Sequence, residues 1–207
     1  ARQGCMPPEP TKGRPYRTDP VRRRLGLADH PVATEANEAL LVHGTSPALL
    51  LPLLSEGCLN ERFSGAFKRR PAFGDGVYLA EDAGKADQYC EADGEYDRLS
   101  ELHRLLYPRG ADAHPGGPLH FLLVCRVALG APIRTHTTGR ASTSLDPPEV
   151  SVFPRSYREL APVAGVTPPT PYHSLLVEKG AGWRFREFVL MHGEGCLPVF
   201  LVAYRRR

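Results

Sequence analysis

Residues 119–129, LHFLLVCRVAL, are apolar almost without a break. A run this rich in Leu and Val reads as a central strand buried on both faces, so other strands must flank it. The last third of the chain supplies more β signal. Residues 173–178, 186–192 and 197–204 read as three strands, with Gly193, Glu194 and Gly195 as a hairpin turn joining the last two. Near the start, the apolar residues 39–42 read as a strand that ends at His43-Gly44-Thr45-Ser46. Pro47 then opens a helix predicted to run through Glu56 and stop at Gly57.

Between these signals lies the stretch FGDGVYLAEDAGKADQYC, residues 73–90. Gly74 and Gly76 let the backbone through a tight place, and the next four residues, VYLA, read as a short buried strand. Asp82 is placed to cap a helix carrying Ala83, Ala86, Tyr89 and Cys90 at helical spacing. Tyr78 and Tyr89 are then either the two walls of a slot for a flat aromatic ligand or half-buried packing residues with wet hydroxyls. The stretch alone leaves both open.

At 207 residues, 42% hydrophobic and 24% charged, the chain suits one soluble domain with a real core. A formal charge of +3 gives no support for nucleic acid as a partner. No apolar run approaches the roughly 20 residues of a membrane span, and no signal pattern opens the chain, so an intracellular protein off the membrane is expected. Cys5, Cys58, Cys90, Cys125 and Cys196 are odd in number and widely spaced, without a CxxC pair. They read as reduced small hydrophobes rather than a disulfide frame or a zinc site.

Residues 1–33, rich in Pro, Arg and Gly, read as an arm or linker bearing the basic cluster Arg22, Arg23 and Arg24, ahead of a domain over 34–207. Residues 57–73 read as a loop whose Arg62, Lys68, Arg69 and Arg70 either receive a pyrophosphate or are simply solvated. Residues 91–118 read as an insertion with a short helix around 99–106, and residues 134–171, with many Pro, Ser and Thr, as a long loop. His173 and His192 read as surface or satisfied histidines. In REFVLM, residues 186–191, Glu187 alternates with Val189 and Met191, which puts a carboxylate on the apolar face of an inner strand. Such a group costs several kcal/mol unless something pairs with it.

In their order, TEANEALLVHGTSP, FGDGVYLAEDAGKADQYC and REFVLMHGEGCLPVFLVAY resemble the catalytic domain of the poly(ADP-ribose) polymerase family, within the diphtheria-toxin-like ADP-ribosyltransferases. The resemblance covers residues 37–90 and 171–204. It implies an α+β fold of two packed, mainly antiparallel β-sheets with a few flanking helices. It also implies NAD+ as substrate and no metal. Taken residue by residue, it implies a catalytic set of His43, Tyr78 and Glu187. His43 would bond the adenosine ribose and the Gly44 backbone the nicotinamide amide. Tyr78 and Tyr89 would stack the nicotinamide ring, and Glu187 would hold a hydroxyl of its ribose. Thr45, Ala80, Lys85 and Arg62 complete the expected donor-binding residues. One position departs: Ala86 stands where many members place a serine that bonds the nicotinamide amide.

The resemblance implies transfer of ADP-ribose from NAD+ to a protein acceptor, the chain itself included, with release of nicotinamide. Elongation to poly(ADP-ribose), mono-transfer, NAD glycohydrolysis and a non-catalytic module binding NAD or ADP-ribose all stay open. Phe185 occupies the place of a second glutamate in arginine-directed relatives, which disfavours arginine as acceptor. The Pro-rich first 36 residues do not read as the helical regulatory bundle of DNA-dependent relatives. No strand leads into GxGxxG and no GxSxG is present, against a dehydrogenase or a serine hydrolase.

Overall fold

The structure, a computed structural model, describes residues 20–55, 59, 71–180 and 182–206. Its strands in chain order are β1 (Glu38–Gly44), β2 (Val77–Ala80), β3 (His120–Ala128), β4 (Pro132–Thr135), β5 (Ser174–Val177), β6 (Glu187–Leu190) and β7 (Cys196–Tyr204). Short helices punctuate them: α1 (Pro20–Arg24), α2 (Pro47–Ser55), α3 (Ala83–Asp87) and α4 (Glu101–Leu106). This is the α+β class that the resemblance implies.

The strands hydrogen-bond in the order β4-β5-β6-β2-β1-β3-β7, parallel between β4 and β5 and antiparallel elsewhere. The run over 119–129 forms β3, next to the edge strand β7, with β1 on its other side and nearly every residue buried. Strands expected in two packed sheets are thus joined into one ladder order. The join is narrow, a single pair between β1 and β2, Val42 opposite Ala80. On either side of it β2, β6, β5 and β4 form one half and β1, β3 and β7 the other.

Alternation along the strands explains the three apolar clusters. One face of the whole sheet, with Leu41, Leu79, Leu123, Leu176 and Phe188, packs under Leu50 and Leu53 of α2 and Leu102 of α4. The opposite face of the first half packs Leu175 and Val189 against Phe73, Val152, Phe153 and Leu160, so the Pro-rich stretch is a loop that covers core. The opposite face of the second half packs Leu40, Val42 and Val124 against Val21 of α1 and Ala86 of α3.

Two strand assignments need correction. The expected hairpin between the last two strands is not formed: Gly193–Gly195 is a 3-10 turn, and β2, β1 and β3 lie between β6 and β7. The doubly buried β3 needs a neighbour on each side, and β7 supplies the outer one. Strand β4, short and opened by Pro132, carries no period strong enough to read and is specified by its parallel partner β5. Within the stretch read as an arm, α1 packs Val21 into the core, and Arg22 donates to the carbonyls of Leu27, Ala28 and His30, closing its own turn. Residues 1–19 lie outside the described residues. Cys90, Cys125 and Cys196 are buried free thiols. Among the described residues, no helix is long and apolar enough to cross a membrane.

Gly76 leads into β2 so close to β6 that a Cβ there would lie 2.3 Å from the Leu190 carbonyl oxygen. Backbone cannot give way cheaply. Gly76→Ala should therefore destabilise the fold by about 1–3 kcal/mol, read as a lowered denaturant midpoint in chemical unfolding.

Candidate active site

The narrow join between β1 and β2 creates the site. Past Val42 the two strands part, and His43 reaches across the opening, its Nδ1 donating to the Tyr78 carbonyl at 2.8 Å. That bond places the proton on Nδ1 and leaves Nε2 as an acceptor. Burial outweighs the bond and lowers the pKa of His43 from its ordinary value of 6.5.

Gly44 ends β1 pressed against α3. A Cβ on it would sit 1.9 Å from the Ala86 carbonyl oxygen and 3.1 Å from Cys90 Sγ. Only glycine permits this approach. Cys90 in turn donates from Sγ to the Phe121 carbonyl at 3.1 Å. Thr45 is buried.

Tyr78 stands on β2 with its hydroxyl fully engaged. It accepts from the Phe73 amide at 2.8 Å and donates to the Gly74 carbonyl at 2.9 Å. Burial raises its pKa well above the ordinary value; the Phe73 amide opposes, while the charge of Glu187 and the neighbouring Tyr89 push the same way as burial.

Glu187 opens β6 directly opposite Ala80, so it shares a sheet face with Ala80 and Tyr78. It is 5% exposed. Its counter-charge is Lys85 of α3, whose Nζ lies 3.0 Å from Oε1. The same ammonium donates to the Tyr89 hydroxyl at 3.2 Å and lies 5.2 Å from that ring's centroid. Burial alone would lower the pKa of Lys85, yet Tyr89 and Glu187 together raise it, so the lysine stays charged. Tyr89 follows α3 rather than lying in it and is 42% exposed.

The structure thus joins His43 to Tyr78, Lys85 to both Glu187 and Tyr89, and Gly44 to Ala86. Arg62, with Lys68, Arg69 and Arg70, lies outside the described residues. What the sequence reading missed is the frame around Glu187. Arg186 donates to Glu178 Oε2 at 3.0 Å and Glu81 Oε2 at 3.3 Å. Arg134 lies 3.2 Å from Glu178 Oε1 and 3.2 Å from Asp146 Oδ1. This alternation of charge ties together the ends of β2, β4, β5 and β6. Its only sequence signal is charge at strand ends, which ordinarily means solvent.

One group among the described residues brings donor atoms within 4.8 Å of one another, Asp93, His103 and His114. The Asp97 amide donates to His103 Nδ1 at 2.8 Å, so Nε2 carries the ring proton and gives it to Asp93 Oδ2 at 2.8 Å. In that tautomer His103 turns no lone pair toward an ion. The group reads as a buried hydrogen-bonded pair inside an aromatic cluster with Tyr96 and Tyr107.

The family model for the poly(ADP-ribose) polymerase catalytic domain matches residues 22–206. The chain belongs to that family. A poly(ADP-ribose) polymerase tankyrase of Caenorhabditis elegans is 30% identical to it over 108 residues, 52% of this chain. The chain spans 4% of that relative's length.

Because folded His43 resists a proton that the unfolded chain accepts, the fold should lose stability as pH falls below about 6.5. The lowered carboxyl groups of Glu38 and Asp87 act only below about pH 4.5, outside that window. Thermal unfolding at pH 7.5 and 5.5 should show a smaller drop for His43→Gln than for the parent chain. An equal drop would mean the imidazole protonates freely in the folded state.

Proposed function

We propose that this domain transfers ADP-ribose from NAD+ to a protein acceptor. The observation that carries the reading is the pairing of buried Glu187 with Lys85, beside two tyrosines, in a chain of this family. In the reaction the bond between C1 of the ribose and the nicotinamide nitrogen breaks, and its electron pair leaves with nicotinamide. The acceptor's lone pair forms the new bond at C1, and the acceptor's proton passes to solvent.

The ribose ring becomes positive as the bond lengthens, as in glycoside hydrolysis. A carboxylate held against the ribose hydroxyl stabilises that charge increasingly as it forms, which raises turnover rather than affinity. Lys85, 3.0 Å from Oε1, holds the Glu187 carboxyl group in place from α3. Tyr78 offers a ring face, since both functions of its hydroxyl are already engaged. Tyr89 offers the second face, and stacking a cationic pyridinium between phenols contributes about 0.5–2 kcal/mol, mainly to binding. His43 Nε2 is left to accept from an adenosine ribose hydroxyl.

Mono-transfer is the second reading, because a set of His43, Tyr78 and Glu187 is compatible with a single transfer as well as with elongation. Phe185, two places before Glu187, disfavours arginine as acceptor. Incubation with labelled NAD+ separates the outcomes: a ladder for polymer, one band for mono-transfer, free ADP-ribose for glycohydrolysis. Retained NAD+ binding with no turnover would overturn the transferase reading.

Two variants test the assignments. Glu187→Gln should lower kcat about 100-fold or more with little change in NAD+ affinity. Tyr89→Ala should raise the Michaelis constant about 3- to 30-fold and leave kcat within a few-fold. Full activity in both would remove the assignment. In addition, Ala86→Ser should tighten benzamide, a nicotinamide mimic, by about 2- to 10-fold, measured by calorimetry. An unchanged affinity would mean that residue 86 does not face the amide.

A further inference from the structure

Helix α3 has five residues, well below the length at which a helix holds itself in water. Its N-terminus is capped by Asp82, which accepts from the Gly84 amide at 2.8 Å. Its last carbonyls, those of Lys85, Ala86 and Asp87, accept from the amides of Gln88, Tyr89 and Cys90, which makes one tight turn. Tyr204 at the end of β7 and Arg206 beyond it add partners to that turn. Arg206 donates from Nε to Asp87 Oδ1 at 3.0 Å, and from Nη2 to the Asp87 carbonyl at 2.7 Å and the Cys90 carbonyl at 3.0 Å. The Tyr204 hydroxyl donates to the same Asp87 carboxylate.

An ion pair between exposed side chains ordinarily contributes little. This one differs in what it spans. A single guanidinium divides its donors among one carboxylate and two main-chain carbonyls, at a helix C-terminus where a cation also meets the negative end of the dipole. The two carbonyls belong to residues 87 and 90, and Tyr89 lies between them. Burial pushes the Asp87 carboxyl up, but Tyr204 and Arg206 more than reverse this and hold it below its ordinary value, so it stays charged.

We infer that Arg206, with Tyr204, is a positioning residue for the donor wall. It clasps the turn that carries Tyr89, four residues beyond Lys85, so that NAD+ meets an ordered ring instead of having to order it. It acts through Asp87 and Cys90 and touches no reacting atom. The kinetic part of this inference rests on the transferase reading above.

The test compares Arg206→Ala, Arg206→Lys and, as control, Arg205→Ala, whose guanidinium instead bonds the Pro115 carbonyl at 2.7 Å. Arg206→Ala should raise the Michaelis constant for NAD+ about 3- to 10-fold with kcat within about twofold. Hydrogen exchange should speed up at the amides of residues 86–90 and stay unchanged in β3. Arg206→Lys should recover part of both effects, and Arg205→Ala should show neither. An unchanged Michaelis constant in Arg206→Ala, or equal effects from Arg205→Ala, would overturn the inference. If the parent chain turns over no NAD+, the transferase reading fails by itself, and exchange decides the clasp: unaltered rates at 86–90 in Arg206→Ala would sink it.

Discussion

A carboxylate buried on an inner strand has to be answered by a positive charge, and much of this structure follows from how Glu187 is answered. Leaving such a group unpaired in a packed interior costs several kcal/mol. Lys85 reaches it from α3, which lies over β2, so the contact ties the helix to β6 across the strand between them. A helix of five residues has no independent stability to speak of; its place is set by what its side chains grip. Because Lys85 and Tyr89 are four residues apart, the grip that settles the charge of Glu187 also sets the height of the Tyr89 ring.

The second constraint is the join in the sheet. A long ladder between β1 and β2 would have filled the space where His43 now reaches the Tyr78 carbonyl. One pair is enough to keep the halves in register, and past it Gly44 turns against α3 instead of continuing along β2. Both sides of the opening are stiff, β1 through its full pairing with β3 and β2 through its pairing with β6. Site residues on such elements are held by the sheet and not by loop order.

Much of this was legible in the residues. The apolar run over 119–129, the Asp82 cap and the misplaced carboxylate at Glu187 each carry a local physical signature, and each has its counterpart in β3, α3 and β6. The hairpin between the last two strands was misread because Gly193-Glu194-Gly195 satisfies the local chemistry of a turn. Which strands a turn joins depends on which neighbour buries more surface, and that is not a local property. The partner of Glu187 was illegible for a related reason. Lys85 is expected among the donor-binding residues, but nothing local to its helix marks it as the partner of a carboxylate on β6. The ion pairs around Arg186 likewise join residues far apart in the chain, Glu81 to Arg186 and Arg134 to Glu178, and no spacing rule links them.

The departure at Ala86 is best understood through Gly44. The closeness of β1 and α3 depends on the missing Cβ of residue 44, which faces the main-chain carbonyl of residue 86 and not its side chain. The helix would lie at the same height with any small residue at 86. Alanine there leaves the approach of the two backbones intact, and its methyl joins the cluster of Leu40, Val42 and Val124. The geometry of this corner of the site is therefore set at residue 44.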